Sequence, residues 1–210
     1  MSDCFQSLER ESRVALETIK LLNAHGIGYL IVTKSNLIAD KEYMAVLDKN
    51  LAHIQITVTC LDDDRAKAYE NASPPSERLQ AIYILQEAGF DVALRISPFV
   101  EEYIDFPWLN SLKVTKTLVE FLRANAFIKG WFPEVDYSKY TLRQSNYWHL
   151  PLDEKLQLLR KIDLPNVSIC EDVSEHYAHW KSHYNPNALD CCNLRMPPDS
   201  ADRLVQGCAD

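Results

Sequence analysis

Four short apolar runs separated by helix-like segments constrain this chain more than any other feature. Residues 29–32, 54–59, 90–96 and 116–122 have the length and β-branched content of buried strands and begin roughly 25–35 residues apart. Between them, residues 8–24 carry Leu8, Val14, Leu16, Ile19 and Leu22 at helical spacing, and Gly26 and Gly28 follow as a stop. Residues 37–51 predict a second helix and 75–88 a third, with Pro75 suited to a first helical turn and Gly89 to the end. A shorter helix is expected over 109–112. This alternation predicts βαβ units and a parallel sheet. Right-handed crossovers then make it either an open doubly wound sheet or part of a barrel.

After Arg123 the pattern changes to a region rich in Trp, Tyr, Pro and His, with one helix expected over 152–162 and one strand over 167–170. We read residues 1–123 as the α/β core and 124–210 as a C-terminal extension packed on it.

The composition, 47% hydrophobic and 25% charged over 210 residues, is that of a soluble globular chain. No apolar run approaches the roughly 18–20 residues of a membrane span. The start MSDCFQSLERES lacks the basic head and apolar middle of a secretory signal. A cytoplasmic protein is expected, in which six cysteines serve as thiols or metal ligands rather than disulfides. The net charge of −8, with no Lys/Arg cluster, argues against duplex nucleic acid as a partner.

Parallel α/β sheets meet their ligands beyond the carboxyl ends of the strands. There the first strand runs into Lys34 and Ser35, with no Gly or Pro to turn the chain. Thr57 and Thr59 end the second strand, Arg95 and Ser97 the third, and Glu120 and Arg123 belong to the fourth. Such a rim suits a zwitterionic or polyhydroxy ligand carrying carboxylate, amine and ribose groups. Polar strand ends also follow from solvated loops alone, so position does not name the ligand.

Six stretches carry a family resemblance: D-C-F-Q-S-L-E (3–9), I-V-T-K-S-N-L-I-A-D (31–40), I-T-V-T-C-L-D-D-D (56–64), E-N-A-S-P-P-S-E-R-L (70–79), L-Q-E-A-G-F-D-V-A-L-R-I-S-P (85–98) and V-E-F-L-R (119–123). Over residues 1–123 the chain resembles the spore photoproduct lyase-like branch of the radical S-adenosylmethionine proteins. The resemblance implies a partial (βα)6 TIM-type barrel. It also implies a [4Fe–4S] cluster that reduces S-adenosylmethionine to a 5′-deoxyadenosyl radical. Carried over by position, Lys34 and Ser35 lie beside the S-adenosylmethionine. Asp3, Gln6 and Glu9 line the preceding strand end, Thr57 and Thr59 the next, and Arg95, Glu120 and Arg123 complete the rim.

The family's C-x-x-x-C-x-x-C, whose three thiolates hold the cluster, is absent: the cysteines are Cys4, Cys60, Cys170, Cys191, Cys192 and Cys208. The first two strands of the barrel are missing, so the chain reads as the C-terminal portion of such a protein. Its open barrel edge invites self-association or a partner chain. The functional expectation is therefore a radical S-adenosylmethionine protein of unknown substrate. The alternatives are a non-catalytic half-barrel that pairs with another chain, or a barrel hydrolase or aldolase using a buried Lys34 as Schiff-base amine.

Cys170, Cys191 and Cys192 could hold an auxiliary metal, although adjacent cysteines suit one ion poorly and buried cysteine is common in cores. His176, His179 and His183 fall on one face of a helix over 173–184, which reads equally as a ligand set or an aromatic packing face. Asp62, Asp63 and Asp64 could meet Mg²⁺, but they read better as a cap on the following helix.

Overall fold

The computed structural model describes residues 3–171 and 173–185. Strands β1 (Tyr29–Thr33), β2 (Ala52–Thr57), β3 (Asp91–Phe99) and β4 (Thr117–Phe121) pair in sequence order, all parallel. Strands β5 (Leu142–Gln144) and β6 (Tyr147–His149) form a separate antiparallel hairpin, and β7 (Val167–Ile169) adds parallel to β4 as the fifth strand. The region after Arg123 thus contributes to the sheet as well as covering it. The sheet is open, an α/β arrangement matching part of a TIM-type barrel.

Alternation along the strands gives the sheet two unlike faces. Register sets Ile31 beside Ile54, Ile54 beside Val92, Ile96 beside Val119 and Val119 beside Ile169, and this face is the continuous apolar core. The opposite face carries Gln55 and Thr57 from β2, Arg95 from β3, and Glu120 from β4, with Cys170 just past β7. A sheet packed on one side only would turn such residues to bulk water. Gln55 and Thr57 are instead buried here, as on the inner wall of a barrel.

The helices cover the apolar face. The single helix expected over 8–24 is two, α1 (Glu9–Ser12) and α2 (Val14–Ala24), broken at Arg13, whose φ is 56°. The cause is Glu9, which folds its buried carboxylate onto the amides of Ala15 and Leu16, each at 3.0 Å, and so caps α2. The helix expected over 37–51 shrinks to a 3-10 turn, Asn36–Ala39, and α3 (Lys41–Met44), because Asp40 between them is extended. α4 (Asp63–Ala66) and α5 (Pro75–Glu87) follow β2, and Gly89 at φ 81° ends the α5 segment as glycine readily does.

α6 (Phe106–Ser111) starts earlier than the expected 109–112, because Asp105 caps it through the Trp108 amide. α7 (Ala126–Trp131), α8 (Leu152–Leu159) and α9 (Tyr177–His183) complete the order. Among the described residues no helix is long and apolar enough to cross a membrane.

Candidate functional site

All five strands point the same way, so their carboxyl ends lie on one rim. At the end of β1 the chain is held by Asp3, whose carboxylate accepts from Thr33 Oγ1 at 2.8 Å and from the Lys34 amide at 2.7 Å. The buried Thr33 hydroxyl in turn accepts from the Ser35 amide, and Ser35 Oγ accepts from the Leu37 amide at 3.2 Å, capping the 3-10 turn. This interlocked turn answers why an apolar strand can end on T-K-S without glycine: side-chain acceptors take the amides a turn residue would otherwise have to satisfy.

Lys34 reaches into a second layer. Its Nζ pairs with Glu70 Oε2, and Glu70 Oε1 pairs with Arg78. The Arg78 side chain is 1% exposed, that of Glu70 8% and that of Lys34 32%. Arg78 also donates from Nε to the Ser73 carbonyl at 2.6 Å and from Nη1 to the Thr57 carbonyl at 2.8 Å. One guanidinium therefore staples the loop after α4 to the end of β2, and every charged partner is matched. A cavity of about 510 Å³ opens over this pair, lined by Gln6, Arg10, Lys34, Ser35, Asn36 and Asn71 among others. Lys34 is held in an ion pair and is a third exposed, which is not the desolvated amine a Schiff-base nucleophile requires.

A second polar group occupies the inner face. Glu120 meets Arg95, accepts from Ser97 Oγ at 2.7 Å and from Arg123 at 2.9 Å. Arg95 also donates to Gln55 Oε1 at 2.7 Å and lies 4.0 Å from Cys170 Sγ. The rim candidates thus divide. Asp3, Gln6, Lys34 and Ser35 surround the cavity, whereas Arg95, Glu120 and Arg123 form their own ion-pair network. Thr57 and Thr59 are buried, and Thr59 Oγ1 donates to the Ser97 carbonyl at 2.8 Å. Glu9 does not line this cavity; its buried carboxylate faces the start of α2. Burial pushes its carboxyl up, but the Ala15 and Leu16 amides and the Tyr43 hydroxyl outweigh that and hold it below its ordinary value.

Asp62 caps α4, accepting the Asp64 and Arg65 amides at 2.9 and 3.0 Å, while Asp63 takes the Ser76 amide and hydroxyl and is held low by them. The acidic run is thus a helix cap. Cys191 and Cys192 lie outside the described residues. Cys4 and Cys60 are free thiols, Cys170 lies beside Arg95, and among the described residues no group of three His, Cys, Asp or Glu side chains could hold a metal ion. His179 and His183 stack at 4.2 Å on the exposed side of α9, while His176 turns inward.

Sequence reasoning passed over a buried group in the extension. The Lys155 ammonium, fully enclosed, pairs with Glu171 and lies 3.2 Å from His176 Nδ1, and Trp180 Nε1 donates to Glu171 Oε2 at 3.0 Å. It also passed over Glu70 and Arg78. Both stood in the E-N-A-S-P-P-S-E-R-L stretch but were read only as a helix start.

The same fold occurs in spore photoproduct lyase. A structure of that enzyme complexed with dinucleoside spore photoproduct aligns with a TM-score of 0.53 at 13% identity, covering 80% of this chain and 58% of that one. A variant with one cysteine replaced by alanine aligns at a TM-score of 0.56 and 14% identity with the same coverage. A doubly substituted variant, with bound AdoMet and dinucleoside spore photoproduct, aligns at 0.53 and 13%, again covering 80% and 58%. The chain therefore spans less than two thirds of the length of the structures it matches. No protein-family model and no curated protein matches the sequence.

Proposed function

We propose that this chain is an S-adenosylmethionine-binding part of a radical S-adenosylmethionine protein, acting in the cytoplasm. Its parent activity is then reductive cleavage of S-adenosylmethionine to a 5′-deoxyadenosyl radical at a [4Fe–4S] cluster. The observation that carries the reading is the Lys34–Ser35 turn. It stands at the carboxyl end of β1 beside a polar cavity of about 510 Å³, in a fold shared with an enzyme solved with AdoMet bound. Within that cavity Lys34 offers an ammonium to a carboxylate, and Ser35, Asn36 and Asn71 offer hydrogen-bonding groups to a ribose.

The fit differs between the two cofactors. The cavity's donors suit the nucleoside, whereas the described residues hold no ligand set for a cluster. What these residues do is bind and orient the adenosyl ligand. Isothermal titration of the 210-residue chain with S-adenosylmethionine tests the reading. Saturable binding that Lys34→Ala weakens about tenfold or more is the expected result, a loss of roughly 1.4 kcal/mol or more. Absence of saturable heat at millimolar ligand would end it.

The outer edge of β1 supports pairing with another copy or another chain. Among the described residues β1 has a strand neighbour on one side only, and beside it lies a largely apolar cavity of about 370 Å³ between α2 and the strand. Leu8 and Val14 stand exposed on its wall. Sedimentation across a concentration series should show association that Val14→Glu abolishes; a monomer at every concentration would remove the edge as an interface.

A further inference from the structure

We propose that His179 and His183 on α9 chelate a divalent transition metal ion of the zinc class, in a site independent of the adenosyl reading. The two residues stand one helical turn apart and so share a face of α9. Their rings lie nearly parallel, with centroids 4.2 Å apart and planes inclined by 15°. Two imidazole nitrogens held at about 2.0–2.1 Å from a tetrahedral ion stand roughly 3.3 Å apart, so a small closing rotation suffices. His176, the third histidine of the row, is buried against Glu171 and takes no part.

The hydrogen bonds prepare the pair for this role. His183 Nδ1 lies 3.1 Å from the His179 carbonyl, which can only accept, so the ring carries its proton there. Ser182 Oγ, 2.8 Å from the same nitrogen, gives its own proton to the Ala178 carbonyl at 2.9 Å and accepts beside it. Nε2 of the exposed His183 ring is thereby left with the lone pair. A carbonyl that fixes the tautomer in this way is the outer support a ligating histidine needs. Among the described residues the His179 ring makes only aromatic contacts, to His183, Trp180 and Tyr184. Burial, and then His183, hold it below its ordinary value, which keeps it neutral for a metal near pH 7. Imidazoles suit zinc, copper and nickel, whereas magnesium and calcium take oxygen ligands. Water completes the coordination, since the described residues offer no third ligand here.

The ion has a structural consequence. α9 spans seven residues with Trp180 as its one buried side chain, too short to hold itself as a helix. A bridge from 179 to 183 closes its last turn. That turn leads into Asn185, whose side chain accepts from the Ile169 amide and donates to the Ile169 carbonyl, each at 2.8 Å. The metal therefore staples the segment that covers the outer backbone of β7.

The test is calorimetric titration of the metal-free 210-residue chain with Zn²⁺, and with Mg²⁺ as control, after Cys191→Ser and Cys192→Ser remove competing thiols. We expect saturable binding of a single Zn²⁺, none of Mg²⁺, and a urea midpoint that Zn²⁺ raises. His179→Gln and His183→Gln, checked by circular dichroism, should each weaken binding about tenfold or more. The double variant should lose hardly more, because removing either ring already removes the chelate. His25→Gln, which changes an exposed histidine elsewhere, should leave the affinity as it was. Unaltered Zn²⁺ affinity in a folded His179→Gln or His183→Gln overturns the site, as does the absence of saturable Zn²⁺ binding. Single losses that simply add in the double variant overturn it too, since two separate weak ligands behave that way. A urea midpoint unmoved at saturating Zn²⁺ means the unfolded chain binds equally well, and likewise ends the proposal.

Discussion

Two clusters in this molecule are built from the same parts and behave as opposites. Near β1, Lys34, Glu70 and Arg78 join an ammonium, a carboxylate and a guanidinium; in the extension, Lys155, Glu171 and His176 join an ammonium, a carboxylate and an imidazole. The Lys155 side chain is 0% exposed and that of Lys34 is 32%. Both clusters satisfy their charges, but only the first leaves donors facing a cavity. Enclosure makes an ion pair a fixture of the fold, because removing one partner strands a charge away from water. Access makes it a place where a ligand can substitute for water. The contrast predicts that the extension cluster matters most to stability and the β1 cluster most to binding.

The largest effect should come from Lys155→Met. With its ammonium gone, the carboxylate of Glu171 keeps, among the described residues, only Trp180 and a neutral His176, in an enclosed site. We expect a loss of about 3–5 kcal/mol in urea unfolding. A loss under about 1 kcal/mol would mean the cluster is wetter than its enclosure indicates, and the contrast with Lys34 would collapse. Arg78→Met should come next, at about 2–4 kcal/mol, since it leaves two carbonyls and one oxygen of Glu70 without their donor. Because Glu70 sits at a cavity wall, water can partly replace that donor. A cost for Arg78→Met clearly above that of Lys155→Met would reverse the ranking.

The legibility of these two regions in the sequence was uneven, for physical reasons. The strands could be read because β-branched apolar runs ended at Gly28, Gly89 and the Lys-Ser pair mark them without reference to anything distant. The rim followed, since parallel strands put Lys34, Arg95 and Glu120 at one edge by topology alone. The start of α2 could not be read, because it depends on a carboxylate five residues upstream turning back onto Ala15 and Leu16 amides. Arg78 reads locally as an ordinary first-turn helix residue. Its burial is decided by the loop over 70–73, whose path no local pattern encodes. The β5–β6 hairpin was missed although Ser145 and Asn146, at φ 49° and 66°, occupy the two left-handed positions of a tight turn. The Asn was its one visible signal.

A smaller effect is set by pH and separates the two clusters again. Burial, and then the neighbouring Lys155, hold the His176 imidazole below its ordinary value near 6.5. Glu171 and Glu175 pull the other way without prevailing. Above that value His176 is neutral folded or unfolded, and the group adds no pH dependence. As pH falls below about 6.5, the unfolded chain takes up a proton that the folded chain refuses, so stability declines, by at most about 1.4 kcal/mol per pH unit for one such group. Half-buried His179 is shifted in the same direction, so the comparison must be with His176→Gln rather than with a flat line. The variant should lose less stability than wild type between pH 6.5 and 5, in a window above the carboxylates that are held low. Identical slopes would show that burial and Lys155 do not hold His176 low.

The smallest effect belongs to Lys34→Met. Its ammonium is a third exposed, one oxygen of Glu70 stays with Arg78, and water can reach the other through the cavity. Partly exposed ion pairs contribute little once screening and side-chain ordering are counted, so the expected stability change is below about 1 kcal/mol. The same substitution should remove most of the affinity for S-adenosylmethionine. That divergence, a near-silent change in urea unfolding beside a large change in calorimetry, is what distinguishes a binding residue from a packing residue of identical chemistry. If Lys34→Met instead unfolds the chain as readily as Lys155→Met, the β1 turn is a keystone of the fold. Its charge pair would then have been selected for stability rather than for a ligand.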